Sequence, residues 1–256
     1  MKFEQCKAVV TGGASGLGFA VAQRVVALGG KVVMLDLQVE RGQVMAEKLG
    51  SNALFVETDV TQEASVDDAV GKAAEFLKGI TLGVNCAGIA PSRRILARDG
   101  LMTTDDFTKV IHINLVGTFS VCRALANVMQ NNTPEGDDDE RGVIVNTASI
   151  AALEGQIGQA AYSASKGGVV SMALPLAREF SRIGVRVMTI APGIFETPMF
   201  DILPVEAREA LAINTPYPKR LGKPEEFAQL VQQIYENPML NGEVIRLDGA
   251  LRMQPK

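Results

Sequence analysis

The feature that most constrains this chain is a series of short, almost wholly apolar runs that recur along its length. Runs in which nearly every residue is apolar, rather than every second one, suit strands that are covered on both faces, as in a parallel sheet. Segments with helical spacing of apolar residues separate the runs. This alternation predicts a doubly wound α/β fold with about seven parallel strands and helices on both faces. The predicted strands cover residues 7–11, 31–36, 52–57, 82–87, 142–149, 184–192 and 242–248, and the predicted helices cover 16–29, 40–49, 63–78, 104–130, 160–182 and 224–236.

We expect one domain over residues 1–256, because no linker or repeat interrupts this rhythm and α/β domains of about 250 residues are common. Two segments stand apart from it. Residues 131–141 are polar, and their acidic stretch Asp137–Glu140 is expected to be a solvated connection. Residues 194–222 are rich in proline and large apolar side chains and follow the end of a predicted strand, where ligands bind in open α/β sheets. They are interpreted as a substrate lid, with a helical hairpin that only packs as the alternative.

Composition argues against several classes of protein. Acidic residues outnumber basic ones by 29 to 25, and a net charge of −4 disfavours a general binder of nucleic acid or of anionic membranes. The three cysteines show no C-x-x-C spacing, which favours free thiols in a reducing compartment over disulfides or a zinc site. No apolar stretch approaches the ~20 residues of a membrane span, and the first residues show no targeting peptide. We therefore expect a cytoplasmic protein without a bound metal.

A glycine-rich turn follows the first predicted strand. It reads TGGASGLG over residues 11–18 and leads directly into a segment with helical spacing. Glycine permits a tight turn and a close approach of backbone N–H groups to a phosphate, and the helix N-terminus adds partial positive charge. In this strand–turn–helix context the turn is a candidate dinucleotide site. Its candidate residues are Gly12, Ser15, Gly16, Leu17 and Gly18.

An aspartate at the end of the second predicted strand indicates which dinucleotide binds. Asp36 follows the glycines at about 20 residues, where a carboxylate can accept hydrogen bonds from the adenosine ribose and repel a 2′-phosphate. The nearest basic residue beyond it is Arg41. This favours NAD over NADP, with a simple turn cap as the alternative. Asp59 and Val60 follow the third strand and could contact the adenine, but Asp59 could equally be the N-cap of the next helix.

Two side chains with complementary proton chemistry lie one helical turn apart. Tyr162 and Lys166 share a helix face, and a nearby cation favours the phenolate over the phenol. This would bring the tyrosine pKa from about 10 toward the range of a general base. Ser149, at the end of a predicted strand, is placed to hydrogen-bond a substrate oxygen and to stabilise a developing alkoxide. The group therefore predicts acid–base chemistry at an alcohol or ketone.

Further residues accompany this group. Asn114 lies inside a predicted helix, where asparagine is a poor helix former, and so predicts a local kink with a bound water. The stretch NCAG ends the fourth predicted strand, where the backbone would pass under a cofactor. Pro192 closes the sixth predicted strand, and Thr197 follows it. The additional cofactor-side candidates are Cys86, Ala87, Gly88, Pro192 and Thr197.

The joint occurrence of TGGASGLG, NCAG, Asn114, Ser149, Tyr162-x-x-x-Lys166 and Pro192-Gly193 resembles the short-chain dehydrogenase/reductase family over essentially the whole chain. The resemblance implies a Rossmann fold, and the glycine spacing is similar to that of the compact members. Longer stretches, such as ASIAALEGQIGQAAYSASKGG and NGEVIRLDGALRMQP, look like a subgroup of 3-hydroxyacyl-CoA dehydrogenases.

The resemblance implies an NAD-dependent, reversible hydride transfer between a secondary alcohol and a ketone, with 3-hydroxyacyl-CoA and 3-oxoacyl-CoA as the favoured pair. Tyr162 would be the general acid/base, Lys166 would hold the nicotinamide ribose and lower the Tyr162 pKa, and Ser149 would orient the substrate oxygen. Asn114 would anchor a water that links Lys166 to solvent, and Gln156 would lie on the substrate side. A homotetramer is also implied. Cofactor contacts are implied for Ser15, Leu17, Asp36, Asp59, Val60, Cys86 and Phe195.

Other functions stay open at this point. A dehydrogenase of another secondary alcohol, such as a hydroxysteroid, or a 3-oxoacyl-carrier-protein reductase would carry the same motifs, although Asp36 argues against the NADPH that such reductases commonly use. A non-enzymatic alternative is a cofactor-gated scaffold for a protein or RNA-processing partner. The acidic net charge and the intact Asn-Ser-Tyr-Lys set make this alternative secondary.

Two sets of polar residues have no assigned role at this stage. His112 is the only histidine and is expected to be a packed, hydrogen-bonded side chain rather than an acid or base. Arg93, Arg94 and Arg98 could meet the phosphates of coenzyme A through charge-assisted hydrogen bonds. They could equally form a solvated basic loop.

Overall fold

A computed structural model describes residues 1–198 and 213–255 of the chain. Strands and helices alternate through most of it, as the sequence predicts. The strands are β1 (Lys7–Thr11), β2 (Lys31–Asp36), β3 (Ala53–Glu57), β4 (Leu82–Asn85), β5 (Leu96–Ala97), β6 (Gly100–Leu101), β7 (Gly142–Thr147), β8 (Val185–Pro192) and β9 (Val244–Leu247). The helices are α1 (Gly16–Ala27), α2 (Val39–Leu49), α3 (Glu63–Leu77), α4 (Thr104–Ile111), α5 (Gly117–Met129), α6 (Ala160–Phe180) and α7 (Pro224–Glu236).

Seven of the strands form one parallel sheet, which confirms the predicted doubly wound α/β fold. The strand order is β3-β2-β1-β4-β7-β8-β9, so the chain runs outward from β1 in one direction and then returns to the other side through β4. Strands β5 and β6 pair separately as a short antiparallel hairpin. The reversal between β1 and β4 creates a crevice at the carboxyl ends of the strands, where ligands bind in open α/β sheets.

The apolar runs are continuous because each strand contributes side chains to a core on each face of the sheet. Val10 and Met34 pack on one face of the sheet, in a core that also contains Phe227 of α7. Their neighbours Val9 and Val33 pack on the other face, in a core formed with α3 and α5. Burial of each such side chain contributes about 1.5–3 kcal/mol, which explains why polar residues are nearly absent from the runs.

One predicted helix is interrupted. The segment predicted as a single helix over residues 104–130 consists of α4, a π-helical turn at His112–Val116, and α5. Asn114 lies within this turn and is fully buried. A π-helical turn is typical of functional sites, and its position matches the kink that Asn114 predicts.

The polar connection 131–141 is solvated only in part. Its three aspartates are exposed, but Glu140 is buried and pairs with Arg186 of β8 at 2.6 Å. Arg186 also donates hydrogen bonds to the carbonyl oxygens of Ile234, Tyr235 and Leu240. The prediction that Glu140 is solvated is therefore wrong, because a buried guanidinium requires a carboxylate partner.

Only the two ends of the predicted lid 194–222 can be described. Residues 199–212 of that segment lie outside the described residues. At its ends, Phe195 forms a bridge with Gly222, so the described parts of the segment meet each other beside β8. Among the described residues, no helix is both long and apolar enough to cross a membrane.

Candidate active site

The glycine-rich turn (residues 11–18) connects β1 to α1 and passes close to the end of β4. Gly12 and Gly16 have positive φ angles of 63° and 52°, which L side chains rarely adopt. A β-carbon on Gly12 would lie 2.9 Å from the backbone nitrogen of Ala87, and one on Gly18 would collide with the carbonyl oxygen of Gly12. The turn therefore has no room for a side chain at Gly12 or Gly18.

The chemistry of the turn suits an anionic ligand such as a dinucleotide diphosphate. Ser15 is the N-cap of α1, and the first turn of this helix carries no acidic side chain, so nothing in it neutralises the positive end of the helix dipole. The hydroxyl of Thr11 accepts hydrogen bonds at 3.1 Å from the backbone nitrogens of both Cys86 and Ala87. These bonds end β4 at Asn85, two residues earlier than predicted, and hold the turn against the following stretch.

Asp36 lies at the end of β2, beside the turn. One carboxylate oxygen accepts a hydrogen bond from the backbone nitrogen of Ala14 in the turn, and the other accepts one from that of Gln38, both at 3.1 Å. No ion pair to Asp36 occurs in the described parts of the chain. An anionic carboxylate that adjoins the glycine-rich turn fits a ribose with free hydroxyls and repels a 2′-phosphate.

Asp59 and Val60 follow β3 at the same edge of the sheet. An oxygen of Asp59 accepts hydrogen bonds from the backbone nitrogen and the hydroxyl of Thr61, at 2.9 and 2.7 Å. The N-cap of α3 is instead Gln62, so the interpretation of Asp59 as the N-cap is wrong: it closes a turn that precedes the helix. Val60 is buried against Gly117, where a β-carbon would come within 2.8 Å of the valine.

The structure brings Tyr162, Lys166 and Ser149 together at the carboxyl ends of β4 and β7. Tyr162 and Lys166 project from the first turns of α6, with the lysine Nζ 6.0 Å from the centre of the tyrosine ring. Lys166 is buried, and its Nζ donates a hydrogen bond of 2.7 Å to the carbonyl oxygen of Thr147. The hydroxyl of Ser149 accepts a hydrogen bond from the backbone nitrogen of Ala151 at 3.1 Å.

Burial dominates the acid–base properties of this group. It raises the pKa of Tyr162, and a hydrogen bond with Ser149 acts in the opposite direction. Burial also lowers the pKa of Lys166 to about 8. In the chain by itself, desolvation of the phenolate is the largest influence on the Tyr162 pKa. That Lys166 lowers this pKa stays a prediction.

Asn114 links the π-helical turn to the backbone that follows β4. Its side-chain oxygen accepts a hydrogen bond from the nitrogen of Ile89 at 2.8 Å, and its amide donates to the carbonyl of Ile89 at 2.9 Å and to the hydroxyl of Ser165 at 3.0 Å. A β-carbon on Gly88 would lie 3.0 Å from the Asn114 oxygen and 3.7 Å from Nζ of Lys166. Because Gly88 has no side chain, Asn114 and Lys166 can both lie close to the backbone at this position.

Cys86 lies beside the group formed by Tyr162, Lys166 and Ser149, not within it. Its Sγ is 3.4 Å from the hydroxyl of Thr147, the residue whose carbonyl oxygen binds Lys166. Burial raises the pKa of the Cys86 thiol to about 11. The thiolate, which is the reactive form of cysteine, is therefore scarce near neutral pH.

The candidates after β8 separate into two environments. Thr197 lies next to the glycine-rich turn, since a β-carbon on Gly16 would be 3.4 Å from its Cβ. Phe195 instead is 5% exposed and packs its ring against Gly222. Pro192 is the last residue of β8. The structure thus places Thr197 with the turn, while the Phe195 side chain belongs to the core.

Gln156 lies in a loop that the C-terminal residues hold in place. Its side-chain nitrogen donates a hydrogen bond of 2.9 Å to the carbonyl of Gln254, and the nitrogen of Ile157 donates one of 3.0 Å to that of Pro255. Sequence reasoning missed Glu154, which anchors the same loop. Its carboxylate receives hydrogen bonds from Arg246 and from the Met253 nitrogen and an ion pair from Arg252.

His112 does not contribute to the group formed by Tyr162, Lys166 and Ser149. The histidine is exposed, not packed, and its Nε2 lies 3.2 Å from the carbonyl oxygen of Thr61. The prediction of a packed side chain is therefore wrong, whereas the predicted hydrogen-bonding role is confirmed. The π-helical turn directs the side chain of Asn114 inward and that of His112 outward.

The comparison with known proteins assigns this geometry to a family. A family model for short-chain dehydrogenases matches residues 7–206, which include the glycine-rich turn, Asp36, Ser149, Tyr162 and Lys166. The chain belongs to the short-chain dehydrogenase family. As a short-chain dehydrogenase it is an NAD-dependent oxidoreductase.

Similar short-chain dehydrogenases match over almost the full chain. The chain is 53% identical to 3-hydroxyacyl-CoA dehydrogenase type-2 of Rattus norvegicus and to that of Homo sapiens, in each case over 97% of this chain and 95% of the relative. The crystal structure of 3-hydroxyacyl-CoA dehydrogenase type-2 from Mycobacterium avium superimposes with a TM-score of 0.94 at 44% identity, over 99% of this chain and 98% of that one.

Proposed function

We propose that the chain interconverts 3-hydroxyacyl-CoA and 3-oxoacyl-CoA, with Tyr162 as the general acid/base. The observation that carries this proposal is the grouping of Tyr162, Ser149 and the buried Lys166 at the carboxyl edge of the sheet. The substrate class is supported by the names of the relatives that match over nearly the full chain. The alternative substrate is another secondary alcohol, such as a hydroxysteroid, and the experiment below distinguishes the two.

The residues present fit NAD(H). Bound NAD(H) supplies the carbon that gives or takes hydride. The glycine-rich turn would hold the diphosphate with backbone groups, and Asp36 would accept hydrogen bonds from the ribose hydroxyls. The proposed cofactor-binding residues are Gly12, Ser15, Gly16, Leu17, Gly18, Asp36, Asp59, Val60, Cys86, Ala87, Gly88, Tyr162, Lys166, Pro192, Phe195 and Thr197.

Tyr162 and Ser149 divide the work at the substrate oxygen. Burial keeps the Tyr162 phenol protonated, so it is ready to donate a proton to a ketone oxygen in the reductive direction. In the oxidative direction the phenolate form of the same side chain takes the hydroxyl proton. Ser149 accepts a hydrogen bond from Ala151 and is also hydrogen-bonded to Tyr162, so its own hydroxyl hydrogen would turn to the substrate oxygen as charge develops there.

Lys166 and Asn114 support this proton transfer. The carbonyl of Thr147 fixes the Lys166 ammonium near Tyr162, where a positive charge favours the phenolate that forms during ketone reduction. Asn114 would position the backbone around Gly88 and anchor a water that links Lys166 to solvent. Its contacts with Ile89 and Ser165 support the positioning part of this role.

The remaining expectations are also proposals. Residues 194–222 would form the substrate lid of a single domain spanning 1–256, and Gln156 would face the substrate. A homotetramer is supported by exposed apolar side chains on α4 and on or beside α5, among them Phe107, Val116 and Phe119. Cytoplasmic location stays a prediction from the sequence. Light scattering of the purified protein tests the assembly.

The test of the function is the oxidation of NADH by acetoacetyl-CoA, followed at 340 nm, with NADPH in a parallel reaction and with a hydroxysteroid and NAD⁺ in another. We expect turnover with NADH and little with NADPH. Tyr162→Phe is expected to lower kcat by about 10²- to 10⁴-fold, the usual contribution of a general acid/base. NADH should still bind to this variant, as measured by the change in NADH fluorescence on binding. Near-normal turnover by Tyr162→Phe contradicts the proposed role, and turnover of hydroxysteroids alone contradicts the substrate class.

A further inference from the structure

An open groove of about 530 Å³ lies beside the proposed catalytic group. One side is the start of the segment between β4 and α4, and the other side is the loop that carries Gln156. Ser163, the residue after Tyr162, is among the residues that line it. The residues that line it are Arg93, Arg94, Ile95, Leu96, Gly155, Gln156, Ile157, Gly158, Gln159, Ala160 and Ser163.

The two sides of the groove are connected to each other. The backbone nitrogen of Arg93 donates a hydrogen bond of 3.0 Å to the carbonyl oxygen of Gly158. Ser163 is adjacent in sequence to the proposed acid/base, so the groove adjoins the start of α6, the helix that carries Tyr162. A ligand in it would be continuous with a substrate whose oxygen reaches Tyr162 and Ser149.

The polar groups of the groove are suited to an anion. Its lining contains the guanidinium groups of Arg93 and Arg94 and no carboxylate. Within the described residues, buried Nε of Arg93 and buried Oγ of Ser163 have no hydrogen-bond partner. The charged partner of Arg93 is Asp99, whose oxygen is 3.7 Å from NH1, beyond the range of a good hydrogen bond. Arg94 is exposed and has no ion pair within the described residues, so its guanidinium group is accessible to a ligand.

The apolar groups of the groove suit a ligand that is only partly charged. Ile95, Leu96 and Ile157 are 59%, 78% and 49% exposed, although apolar side chains of this size are usually buried. A thioester carrier combines an uncharged arm with several phosphates, which matches arginines interspersed with apolar side chains. A neutral sterol would leave the guanidinium groups without a partner.

We propose that this groove binds the phosphorylated carrier portion of a thioester substrate, with Arg93 and Arg94 contacting its phosphate groups. The inference rests on the proposed function and adds to it the residues that select a coenzyme A thioester. Guanidinium groups bind phosphate oxygens through paired, charge-assisted hydrogen bonds. Arg98, which the sequence groups with these arginines, does not line the groove.

The test compares acetoacetyl-CoA with S-acetoacetyl-pantetheine, which carries the same reacting group and no phosphate. In the double variant Arg93→Gln/Arg94→Gln we expect KM for acetoacetyl-CoA to rise about tenfold or more, the loss typical of charge-assisted hydrogen bonds. The value of kcat, and both constants for the pantetheine thioester, should stay unchanged. Arg98→Gln is the matched control in the same loop and should behave as the parent protein.

Arg94→Gln alone provides a second variant whose folding is secure, because Arg94 is exposed. It is expected to raise KM for acetoacetyl-CoA several-fold, and adenosine 3′,5′-bisphosphate should inhibit the parent protein competitively but the double variant only weakly. Equal KM changes for both thioesters, or none for either, overturn the groove assignment while the dehydrogenase function stands. If the parent protein turns over neither thioester, the proposed function itself fails.

Discussion

The glycine-rich turn and the 154–159 loop are held in place in opposite ways. The turn is fixed by backbone atoms in close contact, with Gly18 packed on the carbonyl of Gly12. The loop is fixed by side chains from the far end of the chain, since Glu154 meets Arg246 at a separation of 92 residues. The proposed cofactor side is therefore encoded largely within a short motif, whereas the proposed substrate side depends on the assembled fold.

The substitution with the largest expected effect disrupts the glycine-rich turn. Gly18→Ala places a methyl group against the carbonyl oxygen of Gly12, where backbone cannot move away cheaply. We expect a loss of about 1–3 kcal/mol in unfolding free energy and a much weaker binding of NADH. Urea unfolding and fluorescence titration with NADH measure the two quantities.

Gly71 of α3 is the matched control, because nothing lies within 4 Å of a β-carbon placed there. Gly71→Ala should leave NADH binding unchanged and stabilise the protein by about 0.5–1 kcal/mol, since alanine is the better helix former. If Gly18→Ala behaves like Gly71→Ala, the turn is not the closely packed backbone described above.

A second change alters the charge beside the turn while keeping its shape. Asp36→Asn can still accept the hydrogen bond from Ala14 or Gln38 through its amide oxygen, but it loses the negative charge. We expect the preference for NADH over NADPH to fall about tenfold, because the repulsion of a 2′-phosphate is removed and the ribose contacts weaken. The ratio of kcat/KM for the two cofactors is the measurement, and an unchanged ratio would show that Asp36 only caps its turn.

The smallest expected effect loosens the 154–159 loop. Glu154→Gln weakens the ion pairs to Arg246 and Arg252, and since Glu154 is partly exposed we expect a loss of about 1 kcal/mol or less in unfolding free energy. KM for the acyl substrate should rise a few-fold through Gln156, with NADH binding unchanged. Glu47→Gln, at an exposed position of α2, is the control and should change neither quantity.

The pH dependence of the stability difference between the parent protein and Glu154→Gln separates an electrostatic role of Glu154 from a packing role. The hydrogen bond from Arg246 lowers the pKa of Glu154 below that of the unfolded chain. The stabilisation is therefore fully present above the unfolded pKa of about 4.5 and is lost as the pH falls through the lower, folded value. The parent protein and Glu154→Gln should differ in stability at neutral pH and converge in acid. A constant difference would indicate packing.

Features with a local cause could be predicted from the sequence. The strands, the glycine-rich turn and the Tyr162–Lys166 pair follow from the spacing of residues within one element. Boundaries were less certain: β4 ends at Asn85 because Thr11, from another strand, binds the next two backbone nitrogens. The burial of Glu140 was missed because its partner Arg186 lies in a strand that is distant in sequence.

The sequence by itself determined the doubly wound sheet, the position of the turn and the pairing of Tyr162 with Lys166 on one helix, because hydrophobic period and motif spacing are properties of short segments. Only the tertiary structure decided that Asn114 and Lys166 both lie close to the backbone at Gly88. It also decided that burial raises the Tyr162 pKa and that the C-terminal residues hold Gln156 in place. These depend on desolvation and on contacts between distant segments, which arise only when the sheet register and helix packing are set.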